Sequence, residues 1–250
     1  MRLPRTLALS VLLGACAPLI GQQVSTTFAP APVGSLAVAA ENRVENAPYH
    51  PQPGDLCICD DFNRFRHAVY RLAGTAAPTH VCMVIADRDG KPAVLDIGGP
   101  KLITSKVLIM DVEMRFLTYP GDIQVRRLKQ PLTPEQSREL TEFAYAQEGK
   151  GFALSRVILQ GTPLSARKGL RKTLFAKTDF NRTRWFCSEI VVAAGTRAQI
   201  FNPREVFANA TYPRDLAFDE TINLSTLYHP ASMWSPNPAR PALEHSASMK

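Results

Sequence analysis

The sequence predicts an α+β domain in which an antiparallel sheet packs against helices. Two patterns carry that reading: short β-rich runs set off by turn residues, and longer segments with helical apolar spacing and recognisable caps. A third observation is size. Once the two ends are set aside, the chain is long enough for one substantial core and too short for two ordinary domains.

The first strand signal is Gly54-Asp55-Leu56-Cys57-Ile58-Cys59, a turn after Pro53 that feeds a β run. Phe62, Phe65, Val69 and Leu72 then recur at helical spacing, with Asp60 or Asp61 as the expected N-cap and Gly74 as the stop. Val81 to Ile85 and Pro92 to Ile97 read as two strands around the turn residues Asp87-Arg88-Asp89-Gly90. A hairpin centred on Arg88 would set His80 directly across from Asp96. Lys106 to Ile109 suggests another strand, and Gly121-Asp122 opens a further one through Leu128, where alternation is visible. Thr133-Pro134-Glu135-Gln136 is a strong helix start: Thr133 caps, Pro134 occupies the first turn and Gln136 completes a capping box. Leu140, Phe143 and Ala144 give that helix an inward stripe before Gly149 and Gly151 interrupt it. Phe152 to Lys177 mixes helical spacing with a break at Gly161-Thr162-Pro163. A helical stretch follows Cys187, Asn202 to Phe207 starts a short return, and Tyr212 to Leu227 completes the domain.

The two ends have a different character. Met1-Arg2-Leu3-Pro4-Arg5, an apolar run through Leu13 and the small-residue sequence Leu13-Gly14-Ala15-Cys16 read as an export signal rather than a spanning helix. The last four residues match a bacterial lipobox, so residues 1–15 are expected to be removed and Cys16 acylated. Residues 16–50, rich in Ala, Pro, Val, Gln and Asn, form the expected lipidated tether. The folded domain is expected over 51–228, with 229–250 a flexible tail. This places the protein outside the cytoplasm on a bacterial membrane, held by one acylated end. Loss of Arg2 and Arg5 takes the formal charge from +7 to +5, which alone does not imply nucleic acid. The most basic stretch holds Arg167, Lys168, Arg171, Lys172 and Lys177 and extends through Arg182 and Arg184. It reads first as a solvated face, second as a surface for anionic headgroups or wall polymer, and last as a nucleic-acid contact.

Chemistry centres on Cys187, in Arg184-Trp185-Phe186-Cys187-Ser188-Glu189-Ile190-Val191. An apolar lead-in followed by a helix puts a thiol where terminal amides and the helix dipole favour a thiolate and receive an oxyanion. His80 supplies a candidate base and Asp96 a candidate orienting group, the three roles that thiol catalysis requires. Each residue also has a plainer explanation: a buried helix cysteine, a satisfied histidine at a strand end, an aspartate shaping the turn before Gly98-Gly99. Cys82 shares the strand parity of His80, yet its β-branched neighbours mark it as structural. Cys57, Cys59 and Cys82 are expected as buried thiols, although export permits a disulfide. Cys57-Ile58-Cys59 has neither zinc-ligand nor dithiol-motif spacing, so no metal or other cofactor is expected.

Pro53-Gly54-Asp55-Leu56, Thr79-His80-Val81, Asp96 and Phe186-Cys187-Ser188-Glu189-Ile190-Val191, taken in order, resemble the YiiX/YaeF-type permuted papain-like group, related to the NlpC cell-wall peptidases. The resemblance spans roughly Pro53 to Leu216, including Asn202-Pro203. It implies a circularly permuted papain-like fold with an antiparallel sheet or partial barrel. It also implies Cys187 as nucleophile and His80 as base, with Asp96 where the family usually presents a glutamate or another polar orienting residue. Asp55, Thr79, Trp185 and Ser188 are neighbours with substrate or structural roles, Asp55 more plausibly structural. Thr79 stands where the family often has serine, and a Tyr-Asp pair expected after the Thr133 helix is replaced by Gly151-Phe152-Ala153. The implied activity is cleavage of an amide in a cell-wall peptide or related acyl-amide through an acyl-enzyme. The alternatives are a lipid-directed acyl hydrolase or acyltransferase and a non-catalytic envelope binding domain.

Overall fold

A computed structural model describes residues 49–99, 104–156 and 177–234. The expected leader, Cys16, most of the tether, the basic residues Arg167 to Lys172 and the tail beyond 234 lie outside these residues. Within them the expected α+β class is observed. The strands are β1 (Leu56–Asp60), β2 (His80–Ala86), β3 (Pro92–Gly98), β4 (Lys106–Asp111), β5 (Asp122–Arg126), β6 (Gly151–Phe152), β7 (Arg184–Trp185) and β8 (Ser232–Met233). They form one open sheet in the order β7-β6-β4-β3-β2-β1-β5-β8, antiparallel except where β6 meets β7. The helices are α1 (Arg64–Leu72), α2 (Val112–Thr118), α3 (Pro134–Gln147), α4 (Cys187–Arg197) and α5 (Pro213–Phe218).

The central strands are buried on both faces, which explains why Leu56-Cys57-Ile58-Cys59 and Val81-Cys82-Met83-Val84-Ile85 read as unbroken apolar runs. Leu56, Ile58, Val81, Met83, Ile85 and Leu95 meet α3 and α4 in the larger core. The alternate residues Cys57, Cys59, Cys82, Val84 and Val94 meet Val112 and Phe116 of α2 on the other face. Cys57 and Cys82 face each other across β1 and β2, and all three strand cysteines are buried free thiols.

Gly54 starts the sheet with a bulge. It and Asp55 both face Val84: the Gly54 N–H donates to the Val84 carbonyl at 2.9 Å and the Val84 N–H to the Asp55 carbonyl at 2.8 Å. Its φ of 97° suits glycine, and a Cβ there would lie 2.9 Å from Leu128. Asp55 is buried and accepts from Tyr49 Oη at 2.9 Å and the Leu128 N–H at 2.8 Å, so its role is structural. The capping box of α3 forms as expected: Gln136 N–H donates to Thr133 Oγ1 and Thr133 N–H to Gln136 Oε1.

Three expectations change. The N-cap of α1 is Asn63, whose Oδ1 accepts from Arg66 N at 3.0 Å, because β1 continues through Asp60. Asp60 and Asp61 instead hold the side chains of His67 (2.8 Å) and Arg66 (2.6 Å). The β2–β3 hairpin pairs Met83 with Leu95 and Ala86 with Pro92, so it is centred on Asp89 rather than Arg88 and Asp96 is not directly opposite His80. Gly90, at φ 80°, adds a left-handed residue to the loop, and the Asp87 N–H closes it on the Lys91 carbonyl at 2.8 Å. Beyond Tyr228 the chain stays in the sheet through β8, and Trp234 packs edge-on against Phe116 at 4.8 Å. Arg126, buried on β5, ties α5 to the sheet through a bidentate pair with Asp219 at 2.9 and 2.7 Å.

Gly121, where β5 begins, touches the end of β1: a Cβ there would meet the Asp60 carbonyl oxygen at 2.0 Å and Asp61 Cα at 2.7 Å. Both contacts are backbone and cannot swing aside. Gly121→Ala is therefore expected to lower stability by about 2–3 kcal/mol, read as a fall in the urea midpoint at unchanged slope.

Candidate active site

Cys187 is the first residue of α4, preceded by an extended Phe186 with φ −98° and ψ 153°. The helix start is held from within by Glu189, whose carboxylate accepts the Phe186 N–H at 3.2 Å. Glu189 is almost fully buried, and its charge is balanced by Arg156 at 2.7 Å and Arg182 at 3.0 Å. Without those guanidiniums a buried carboxylate two residues from Cys187 would oppose a thiolate. With them it locks the helix end and leaves the N-terminal amides to favour negative charge. Ser188 Oγ donates to the Thr211 carbonyl at 2.5 Å, fixing the same turn to the following loop.

His80 is the first residue of β2, and its ring lies near Cys187, whose thiol is one of the groups that raise its pKa. Its Nε2 meets Asp96 Oδ1 at 2.6 Å, which leaves Nδ1 as the nitrogen available to the thiol. The shifted hairpin register makes this a diagonal contact along one face of β2 and β3, which the short distance shows to be within reach. Asp96 is fully engaged: Oδ1 also accepts the Ile97 N–H at 2.6 Å, and Oδ2 accepts Arg115 Nε at 2.5 Å. Cys187 is thus brought from far along the sequence to His80 and Asp96, at the end of the sheet where β2 begins. Cys187 is 3% exposed and His80 8%, so the pair is shielded from bulk water.

The electrostatics favour a charged His80. Burial disfavours the imidazolium, but the Asp96 charge and hydrogen bond outweigh it, and with Cys187 they raise the His80 pKa to about 10. Burial likewise disfavours the Asp96 carboxylate, yet His80, Arg115 and the Ile97 amide hold its pKa well below the ordinary carboxylate range. An imidazolium beside a thiol at a helix N-terminus is the arrangement that stabilises thiolate.

Tyr70 of α1 completes the cluster. Its hydroxyl donates to the Thr79 carbonyl at 2.7 Å, next to His80, and its ring lies against Phe186 and Tyr212. Burial, with Cys187 nearby, pushes the pKa of the phenol up, so it stays a neutral donor to that carbonyl. Thr79 is buried, and its Oγ1 has no partner among the described residues. Trp185 is fully buried, donates Nε1–H to Gln147 Oε1 at 3.2 Å and packs on Phe143, a structural position behind the site.

Sequence reasoning missed Tyr70, Arg115 and the Glu189–Arg156–Arg182 cluster. Glu189 was signalled, since it stands at the capping-box position after Phe186. Arg115 was not: α2 is a short helix capped by Asp111, whose side chain accepts from Met114 N at 2.8 Å. Tyr70 was masked by the apolar stripe of its own helix.

No family model matches the chain, and no curated protein does. Among solved structures it is similar to the metalloprotein YiiX from Escherichia coli O157:H7, at 22% identity and a TM-score of 0.41. That match covers 60% of this chain and 67% of that one.

The shifts set a pH window for stability. Asp96 is depressed, so its contribution is present above about pH 3.8 and is lost as pH falls below it. His80 is raised, so its contribution is complete below pH 6.5 and is lost as pH rises through about 10. The stability difference between the wild type and His80→Gln, from urea midpoints, is expected to be largest between pH 3.8 and 6.5 and to shrink on both sides.

Proposed function

We propose that the protein is a cysteine hydrolase that cleaves an amide, in a cell-wall peptide or related acyl-amide, through an acyl-enzyme on Cys187. The observation that carries this reading is the buried chain Cys187, His80, Asp96, Arg115, which joins a helix-start thiol to an imidazole whose far nitrogen is fixed by an ionised carboxylate. Its order, histidine on an early strand and cysteine on a later helix, agrees with the permuted papain-like resemblance. Export and acylation at Cys16 belong to the same proposal and rest on residues 1–16.

The Cys187 Sγ attacks the carbonyl carbon as thiolate, and the carbonyl π pair moves to oxygen. The Cys187 N–H, at the first turn of α4, stabilises that oxyanion. On collapse the C–N bond breaks and the His80 imidazolium gives its proton to the leaving amine. Neutral His80 then takes a proton from water as the water oxygen attacks the thioester. The carboxylic acid departs and the thiolate–imidazolium pair is restored. Asp96 and Arg115 hold the ring through both proton transfers and take no proton themselves.

The YiiX structure is described as that of a metalloprotein, but the donors here do not suit a metal. Both Asp96 oxygens are occupied, Arg115 places a positive charge where a cation would bind, and no group of three His, Cys, Asp or Glu side chains among the described residues is arranged to hold a metal ion. A second reading, hydrolysis or transfer of a lipid acyl chain, is favoured by exposed apolar side chains on both short helices that touch the site: Phe65 and Leu72 on α1, Met114 and Leu117 on α2.

Cys187→Ala is expected to abolish turnover of defined wall fragments and acyl lipids with the fold intact, and His80→Ala to lower kcat by about 10²- to 10⁴-fold. Iodoacetamide should label Cys187 in the wild type. Unchanged turnover without Cys187, or a Cys187 inert to labelling, supports a non-catalytic binding domain instead. The alkaline limb of the rate profile is expected near pH 10, where His80 loses its proton, and Asp96→Asn should move that limb to lower pH.

A further inference from the structure

We propose that the outer face of α1 docks the protein on a bilayer containing anionic lipid and so holds the Cys187 region near the membrane surface. The helix is turned inside out relative to an ordinary surface helix, which would bury its apolar stripe. Phe65 is 75% exposed and Leu72 70%, and Phe62, just before the helix, is 58% exposed. At the helical repeat, Phe65 and Leu72 lie on one line with Ala68 and Val69 alongside. Arg64 and Arg71 flank that stripe on one side and Arg66 on the other. Arg64 and Arg71 are exposed, whereas Arg66 is half-buried and paired with Asp61. The only buried side chain of the helix is Tyr70, on the opposite face.

An exposed apolar patch of this kind marks an interaction surface, and its flanks select the partner. Guanidiniums beside an apolar stripe match the boundary between lipid phosphates and acyl chains. The chain as a whole carries a formal charge of +7, which favours an anionic surface over a neutral one. At nine residues α1 is suited to lie in that boundary, and no helix among the described residues is long and apolar enough to cross a membrane. The inner face matters equally. Tyr70 packs against Phe186, the residue before Cys187, so docking through the outer face places the start of α4 about one helix diameter, ~10 Å, from the lipid. The docking is independent of the proposed catalysis and of any lipid at Cys16.

Hydrogen exchange on the full chain reads α1 locally, whatever the N-terminus does. With vesicles of equimolar phosphatidylcholine and phosphatidylglycerol, amides of residues 62–72 are expected to slow by about ten-fold, and by less with phosphatidylcholine alone. Phe65→Ser with Leu72→Ser should remove that slowing while Cys187 still reacts with iodoacetamide at the wild-type rate. Arg64→Glu with Arg71→Glu should remove the preference for phosphatidylglycerol. Unchanged exchange at 62–72 with both vesicles overturns the proposal. So does protection that rises with protein concentration without lipid, which would assign the face to a second copy of the chain. Loss of iodoacetamide labelling with vesicle protection intact would count against the catalytic reading alone.

Discussion

The carboxylate of Asp96 is the constraint on which the site depends. It receives three donors, the His80 ring, the Arg115 guanidinium and the Ile97 amide, in a position that is 2% exposed. A buried carboxylate with fewer partners would be protonated and could not hold an imidazolium. Arg115 makes the arrangement affordable, because its charge offsets the desolvation that burial imposes on Asp96. The same link joins elements on the sheet's second face to its edge: α2 brings Arg115, β3 brings Asp96 and β2 brings His80. Displacing α2 would therefore disturb the base of a nucleophile that it does not itself touch.

The sheet supplies rigidity to this arrangement because its central strands are buried on both faces. α3 and α4 cover one face and α2 with Tyr49 and Trp234 the other, so β2 cannot tilt without opening a packed layer. The nucleophile is fixed by separate means. Glu189, Arg156 and Arg182 hold the first turn of α4, and Ser188 binds it to Thr211. His80 and Cys187 thus stand on independently braced elements, which preserves their proximity.

Much of this was legible in the sequence because the signals were local. The capping box at Thr133, the left-handed stop at Gly74 and the two Gly-Asp strand openings need only neighbouring residues to form. His80, Asp96 and Cys187 were legible as chemistry, since few residue types can play those parts. The pairing of His80 with Asp96 was anticipated through the wrong register. Asp-Gly at the turn fits more than one loop length, and only the left-handed Gly90 settles it at three residues. Arg115 was illegible because its partner lies nineteen residues away on a strand, and no periodicity reports a charge pair between a helix and a strand.

α1 shows why periodicity must be joined to topology. Phe65, Val69 and Leu72 describe one face of α1 correctly, with Phe62 left outside the helix before its N-cap, yet spacing alone does not say which way that face turns. The orientation is decided at both edges of the helix. Asp60 and Asp61, at the end of β1, hold His67 and Arg66, while Tyr70 is drawn inward by the Thr79 carbonyl and the rings of Phe186 and Tyr212. Those contacts come from polar residues and one aromatic, and they leave the aliphatic and phenylalanine side chains outward. Burying large apolar side chains is favourable by about 1.5–3 kcal/mol each, so a helix that forgoes this gain at Phe65 and Leu72 is under a constraint that packing alone does not explain. The residue that it does bury packs on Phe186, the N-cap before Cys187, which links the outward face to the start of α4 through a single helix.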